Sequence, residues 1–547
     1  MKILRNHTGL ILVFTLLVIH LLIINDYGFT WDFHFHFFGG GHLLGMTWQQ
    51  LEPRILPYVE PDPRFAWSLP YGAIMSIPPV ATYLLFYKHW HLLAQDSSYH
   101  LPILLWGIGG ILTLYAFLKE TINKRVALMG VLFLSTMPRF FSDMHNDMKD
   151  VPSATIFAVN VWLIYRLTRY KRLSDLLLAI AGFAVAFNVK INSIFIPIIF
   201  AMWIFLTHLS KTKLKTLLHD KKLYLWYFLG APIAAFLLWC VFWPNPIAQL
   251  DHAYRTFAIG TNNIEVLLNG NWYCSGENVP WYYSIWYIAI TTPIITLFLF
   301  VIGIFTAIQT KNQQLQGLYM LFVLWVFIPL TRYLLPSTGV IDGIRHFEEV
   351  LFPLAAFAAI GADQLLSLAK SQFTKRISYG ALILMIIWLM FILYAHHPFQ
   401  ITYFNELVGG THGANGKYDL DYWGGSQKQA VAWVNEHAPK NASVHIVMAA
   451  DVAGRYLRPD LLTNLNKYGY DESDYVILLN RQSFFYRFAY IFEYVLHHKA
   501  THTISVQNTP LVWVYDNHTD NKTPRQTPWW KGEDPCIIKY WKGEKRR

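Results

Sequence analysis

A polytopic α-helical membrane protein with a small α/β domain at its carboxy-terminal end is the architecture this sequence predicts, and three observations predict it. Charged residues make up only 14% of the chain against 54% hydrophobic, at a mean hydropathy of +0.29; ordinary soluble domains carry about 25% charged residues. Apolar runs of membrane-spanning length recur as far as residue 395. Beyond that point acids, Asn and Gly return, and the apolar runs shorten to strand length.

The long runs lie near 8–25, 71–90, 100–118, 126–142, 152–168, 174–190, 191–209, 223–243, 284–308, 317–336, 348–369 and 378–395. They predict about 11–13 spans at roughly 20 residues each. Four are poorly formed: 71–90 holds Pro78-Pro79 and ends in Lys88 and His89, 126–142 closes on Pro138-Arg139, and 174–190 with 191–209 reads as a hairpin or a broken helix. The first run lacks a small-residue cleavage site and reads as an uncleaved anchor. After residue 395, a helix over 426–438 and strand-like runs at 443–449, 474–480 and 503–516 define an α/β domain, 396–547, on a transmembrane domain, 1–395.

The net charge of +10 raises the question of nucleic acid, but much of it sits in short clusters between apolar runs, such as Lys211, Lys213, Lys215, Lys221 and Lys222. That is the cytoplasmic excess of a membrane protein, and no nucleic-acid partner is expected. Lys2 and Arg5 put the amino terminus inside, the first external loop at 26–70, and everything after 396 outside. The basic connection 119–125 also reads as inside, in conflict with a simple count of spans, so one weak segment does not cross. Three cysteines give neither a disulfide framework nor a metal site. Cys274 and Cys536 both fall outside, yet a bridge between them is not expected.

Three polar clusters at span ends could carry chemistry, because ionisable groups beside a bilayer are costly unless they function. The first, 26–45, contains Trp31, Asp32, His34, His36 and His42. The second, PRFFSDMHNDMKDVP (138–152), contains Arg139, Asp143, Asp147, Lys149 and Asp150. The third, 331–353, contains Arg332, Asp342, Arg345 and His346. Asp32 reads as a catalytic base, and Lys149, Arg345, His346 and Arg139 as partners for a phosphate. His34 and His36 read as sugar or acceptor contacts; as metal ligands they have no second paired motif. Trp31, Trp67 and Trp272 are candidates for stacking on a sugar, or for anchoring at the interface.

Asp32 in its loop, HNDMKDVP (145–152), PWYYS (280–284), RYLLP (332–336), IDGIRHF (341–347) and HPFQITYFNELVGG (397–410) together resemble the bacterial members of glycosyltransferase family 39. These belong to the GT-C superfamily, with protein O-mannosyltransferases and lipid A aminoarabinose transferases as relatives. The resemblance implies a plasma (inner) membrane enzyme that takes a sugar from a polyprenyl-phosphate donor. It passes the sugar, with inversion, to a protein, lipid or polysaccharide acceptor on the extracytoplasmic face. The family's acidic residue in the first loop maps onto Asp32. Where the family often has Asp-Glu, this chain has Asp32-Phe33, so a second carboxylate is sought at Asp143, Asp147 or Asp150. A His-Pro-Pro-like entry expected in 52–70 is also absent. With cations on the phosphate, a divalent metal is compatible but not required. An oligosaccharyltransferase moving a preassembled glycan would show a similar first-loop carboxylate. A transporter would place its charges mid-span and show repeated interrupted helices.

Overall fold

The computed structural model describes residues 2–52, 73–146, 149–207, 211–240, 243–255, 261–335, 337–526 and 536. Each predicted apolar run is helical within those residues. The principal helices are α1 (Lys2–Ile23), α2 (Phe33–Leu43), α3 (Ala73–Thr82), α4 (Gln95–Thr121), α5 (Lys124–Ser135), α6 (Pro138–Asp143), α7 (Asp150–Tyr170) and α8 (Leu173–Val189). They continue as α9 (Phe195–Thr207), α10 (Lys211–Leu238), α11 (Tyr283–Thr291), α12 (Ile294–Gln309), α13 (Gln313–Thr331), α14 (Leu351–Leu368) and α15 (Gln372–Ala395). Among the described residues, six are long and apolar enough to cross a membrane alone, and α11 with α12 would make a seventh. That pair bends by 117° at Thr292-Pro293, where proline cannot continue the hydrogen-bond ladder. The 174–209 stretch is two short helices, α8 and α9, broken at Lys190.

Contacts between helix ends sort the bundle into two sides. On the basal side, Lys124 Nζ lies 3.2 Å from Thr8 Oγ1, Arg125 pairs with Asp363, and Arg166 pairs with Glu120 at 2.9 Å. On the other, which we call the cap side, Ser97 Oγ meets Asn25 Oδ1 at 2.5 Å and Lys428 pairs with Asp96 at 2.6 Å. The chain between Asp26 and Gln95 therefore leaves and returns on the cap side and makes no net crossing. This removes the conflict over 119–125: the Pro78-Pro79 segment is the one that does not cross, and 119–125 shares a side with the amino terminus.

Helix α14 runs through the bundle's centre with Ala355, Ala356, Ala358 and Ala359 fully buried. Gly303 of α12 and Gly361 of α14 face each other's backbones, Gly303 against Phe357 O and Gly361 against Leu299 O. No side chain fits at either position, which lets two membrane helices pack backbone to backbone.

The carboxy-terminal domain matches its expectation closely. Helix α16 (Gln427–His437) packs on a four-stranded sheet of β3 (Val444–Ile446), β4 (Tyr475–Leu479), β5 (His502–Val506) and β6 (Thr509–Asp516). The order is β3-β4-β6-β5, with β3 and β4 parallel and the rest antiparallel. β4 is buried at every position, as a central strand covered on both faces must be. The sequence reading predicts only loop where α2 stands and where an antiparallel hairpin forms after α10, β1 (Glu265–Leu268) with β2 (Asn271–Cys274). It also missed the Cys274–Cys536 disulfide, which ties that hairpin to the chain's end across 262 residues. Only the folded hairpin brings the two together.

Candidate active site

The three polar clusters and the carboxy-terminal domain converge on one cavity of about 450 Å³ on the cap side. Each key side chain stands where an element starts or stops. Asp32 is the residue before α2, Lys149 the residue before α7, and Lys190 the residue after α8. Arg345 lies in the loop into α14. That loop turns at Asp342 (φ +57) and Gly343 (φ +67), two left-handed positions suited to Asp and Gly.

Asp32 Oδ2 accepts from Arg345 Nη2 at 2.6 Å and from Lys149 Nζ at 3.1 Å, while its side chain remains 36% exposed. Burial pushes the Asp32 carboxyl up, but the Lys149 and Arg345 charges outweigh it and hold the group well below the usual carboxylate range. Arg345 is fixed on every side: Nη1 meets Asp342 Oδ2 at 2.9 Å, Nε meets Asp150 Oδ2 at 3.3 Å, and the guanidinium lies 4.1 Å over the Trp423 ring. Asp150 also receives Lys190 at 2.5 Å, and Asp342 receives Arg481 at 2.6 Å. Five cations (Lys149, Lys190, Arg332, Arg345, Arg481) line the cavity with three carboxylates (Asp32, Asp342, Asp451), and Asp150 and Glu349 stand behind it. A partly buried site with surplus positive charge favours an anion.

Lys149 also lies 3.0 Å from His36 Nε2. Burial and the Lys149 ammonium keep His36 well below its usual value, so it is a neutral acceptor. His34 Nδ1 meets Asp451 Oδ2 at 2.5 Å and Nε2 lies 3.4 Å from Arg455 Nη1. His346 lines the cavity, and burial with the adjacent Arg345 charge keeps it neutral, a hydrogen-bonding group rather than a cation. Trp31 lines the cavity beneath the Arg481 guanidinium, 5.0 Å away. Among the described residues, no group of three or more His, Cys, Asp or Glu is arranged to hold a metal ion.

Not every predicted residue is here. Arg139 is buried behind the cavity, its guanidinium 5.0 Å over Phe404 and 5.5 Å over Tyr422. Asp143 is buried beside it and faces Glu348; burial raises its carboxyl to about 6. Neither lines the cavity. Trp272 packs on Tyr486 instead, and Asp147 and Trp67 lie outside the described residues. Sequence reasoning missed Lys190, Trp423, Asp451 and Arg481. Lys190 carried a signal, a lysine interrupting an apolar run. The other three come from the cap domain, and nothing in their local sequence marks them.

Known proteins fit this picture. The family model for dolichyl-phosphate-mannose-protein mannosyltransferase matches residues 76–239. The chain superposes on ArnT from Cupriavidus metallidurans bound to undecaprenyl phosphate with a TM-score of 0.51 at 11% identity, covering 95% of this chain and 100% of that one. The apo state of that protein gives 0.51 at 10% identity, covering 94% and 99%. The oligosaccharyltransferase of Archaeoglobus fulgidus reaches 0.44 at 10% identity, covering 84% and 65%, too distant to carry an argument. No curated protein sequence matches the chain. The fold is that of the GT-C glycosyltransferases.

Proposed function

On this GT-C scaffold, we propose that the chain is a membrane glycosyltransferase that moves a sugar from a polyprenyl-phosphate donor to an acceptor hydroxyl, with Asp32 as general base. One observation carries the reading: a single oxygen of Asp32 is shared by Lys149 and Arg345 in a cavity with surplus positive charge. A carboxylate held so firmly between two cations is a weak base. The phosphodiester monoanion of the entering donor competes for the same cations. When it takes Lys149 and Arg345, Asp32 regains its basicity beside the anomeric carbon.

The reaction then proceeds in one displacement. The acceptor oxygen bonds to the anomeric carbon as its proton passes to Asp32, the bond from that carbon to the phosphate oxygen breaks, and the configuration inverts. Charge gathering on the departing polyprenyl phosphate is met by Lys149 and Arg345, which Asp150, Asp342 and Trp423 hold in place. General-base assistance of this kind contributes about 10²–10⁴-fold. The undecaprenyl phosphate bound by the structurally similar ArnT supports the donor class.

Two features support placing the cap outside the cytoplasm of the plasma (inner) membrane. Basic residues such as Lys124 and Arg125 gather on the basal side. The Cys274–Cys536 disulfide lies on the cap side, and such bonds persist in oxidising compartments. The test is transfer by purified protein from undecaprenyl-phosphate sugars in the wild type and in Asp32→Asn. Loss of transfer with retained lipid binding supports the reading, and undiminished transfer overturns it.

A further inference from the structure

The cavity has a second carboxylate that neither the phosphate nor the base role uses. Asp451 follows β3 on a short helix, Ala450–Ala453, reached through Ala449 at φ +51. A buried non-glycine residue in the left-handed region is uncommon and marks a backbone held for a purpose. Among the described residues, the one ionisable side chain paired with Asp451 is His34, at 2.5 Å. On its other side the His34 ring meets Arg455, Nη1 lying 3.4 Å from Nε2. Arg455 is itself held by Glu52 at 2.9 Å, and Glu52 accepts from the Tyr83 hydroxyl at 3.0 Å. All three are buried.

Asp451 is thus held on a rigid mount. Its side chain is 29% exposed and lines the same cavity as Asp32. Asp32 and Asp342 each meet two Lys or Arg side chains, whereas among the described residues Asp451 meets none. A part-exposed carboxylate that lines a cavity with no Lys or Arg on it calls for O–H or N–H donors, and next to a phosphate site those belong to the sugar. We infer that the Asp451–His34 pair is the sugar-selecting subsite, in which Asp451 accepts hydrogen bonds from hydroxyl or amino groups of the transferred sugar and His34 positions it. The inference rests on the donor class proposed above.

The experiment compares two ligand types on the purified full chain: bare undecaprenyl phosphate, and undecaprenyl phosphate carrying glucose, mannose, galactose or 4-amino-4-deoxyarabinose. The wild type is expected to bind at least one sugar-bearing donor more tightly than the bare carrier. Asp451→Ala should weaken that donor about tenfold or more, the loss of a hydrogen bond to a charged group. Binding of bare undecaprenyl phosphate should stay within about twofold, which also shows that the variant is folded. Asp451→Glu should recover part of the loss, or shift preference among the four sugars. If wild type gains nothing from any of the sugars, or Asp451→Ala weakens bare and sugar-bearing lipids equally, the subsite is refuted. If the wild type does not bind bare undecaprenyl phosphate, the donor class itself fails.

Discussion

Asp143 and Asp150 come from the same polar stretch, both are buried, and they have opposite surroundings. Asp150 sits between Lys190 and Arg345, at 2.5 and 3.3 Å, and braces the cavity wall. Asp143 sits behind that wall against Glu348, and among the described residues no cation comes within ion-pair distance. Burial raises it to about 6. The contrast extends to the arginines: Arg345 is ringed by carboxylates and reaches the cavity, whereas Arg139 lies over aromatic rings behind it. Density of charge in a sequence thus marks the membrane boundary, but which charge works is decided by its partners.

Five substitutions break or sharpen this comparison. The largest effect is expected from Asp32→Asn, a loss of about 10²–10⁴-fold in transfer rate, measured with purified enzyme and lipid-linked donor. Next, Lys190→Met removes the closer of the two cations that grip Asp150. Breaking a buried pair costs about 3–5 kcal/mol, read as a lowered unfolding temperature in detergent. Third, Arg345→Ala should weaken undecaprenyl phosphate binding about ten- to a hundredfold, while Arg139→Met should change it by no more than about twofold. Equal losses from both would erase the distinction between wall and backing.

The smallest effect concerns Asp143. Its carboxyl has a folded value of about 6 against an ordinary 3.8, so the native state binds the proton more tightly than the unfolded chain. Its contribution to stability is present below pH 3.8 and is lost as pH rises through 6. Asp143→Asn removes that loss. The variant should be more stable than wild type by about 1–2 kcal/mol at pH 8, with the difference vanishing near pH 4. Unfolding followed at the two pH values checks the sign.

Much of this was legible in the chain. The apolar runs, helix 426–438 and the strands at 443–449, 474–480 and 503–516 follow from period and length alone, and they stand within a few residues of their places. Asp32, Lys149 and Arg345 were visible because charge at a span end is rare enough to notice. What local sequence could not reveal was long-range geometry. Asp451 and Arg481 look like ordinary surface residues of a small α/β domain until the cap folds over the bundle. Arg139 and Lys149 look equivalent until one helix end points inward and the other toward the cavity. The Cys274–Cys536 bond depends on a hairpin too short to read from its pattern.

The central claim is that Asp32 and the donor phosphate compete for Lys149 and Arg345. Titration of undecaprenyl phosphate into purified Asp32→Asn tests it most directly. Removing the carboxylate takes one competitor away from both cations, so the variant that no longer transfers sugar should bind the lipid phosphate as tightly as wild type or more so. A variant that loses that affinity tenfold would contradict the account.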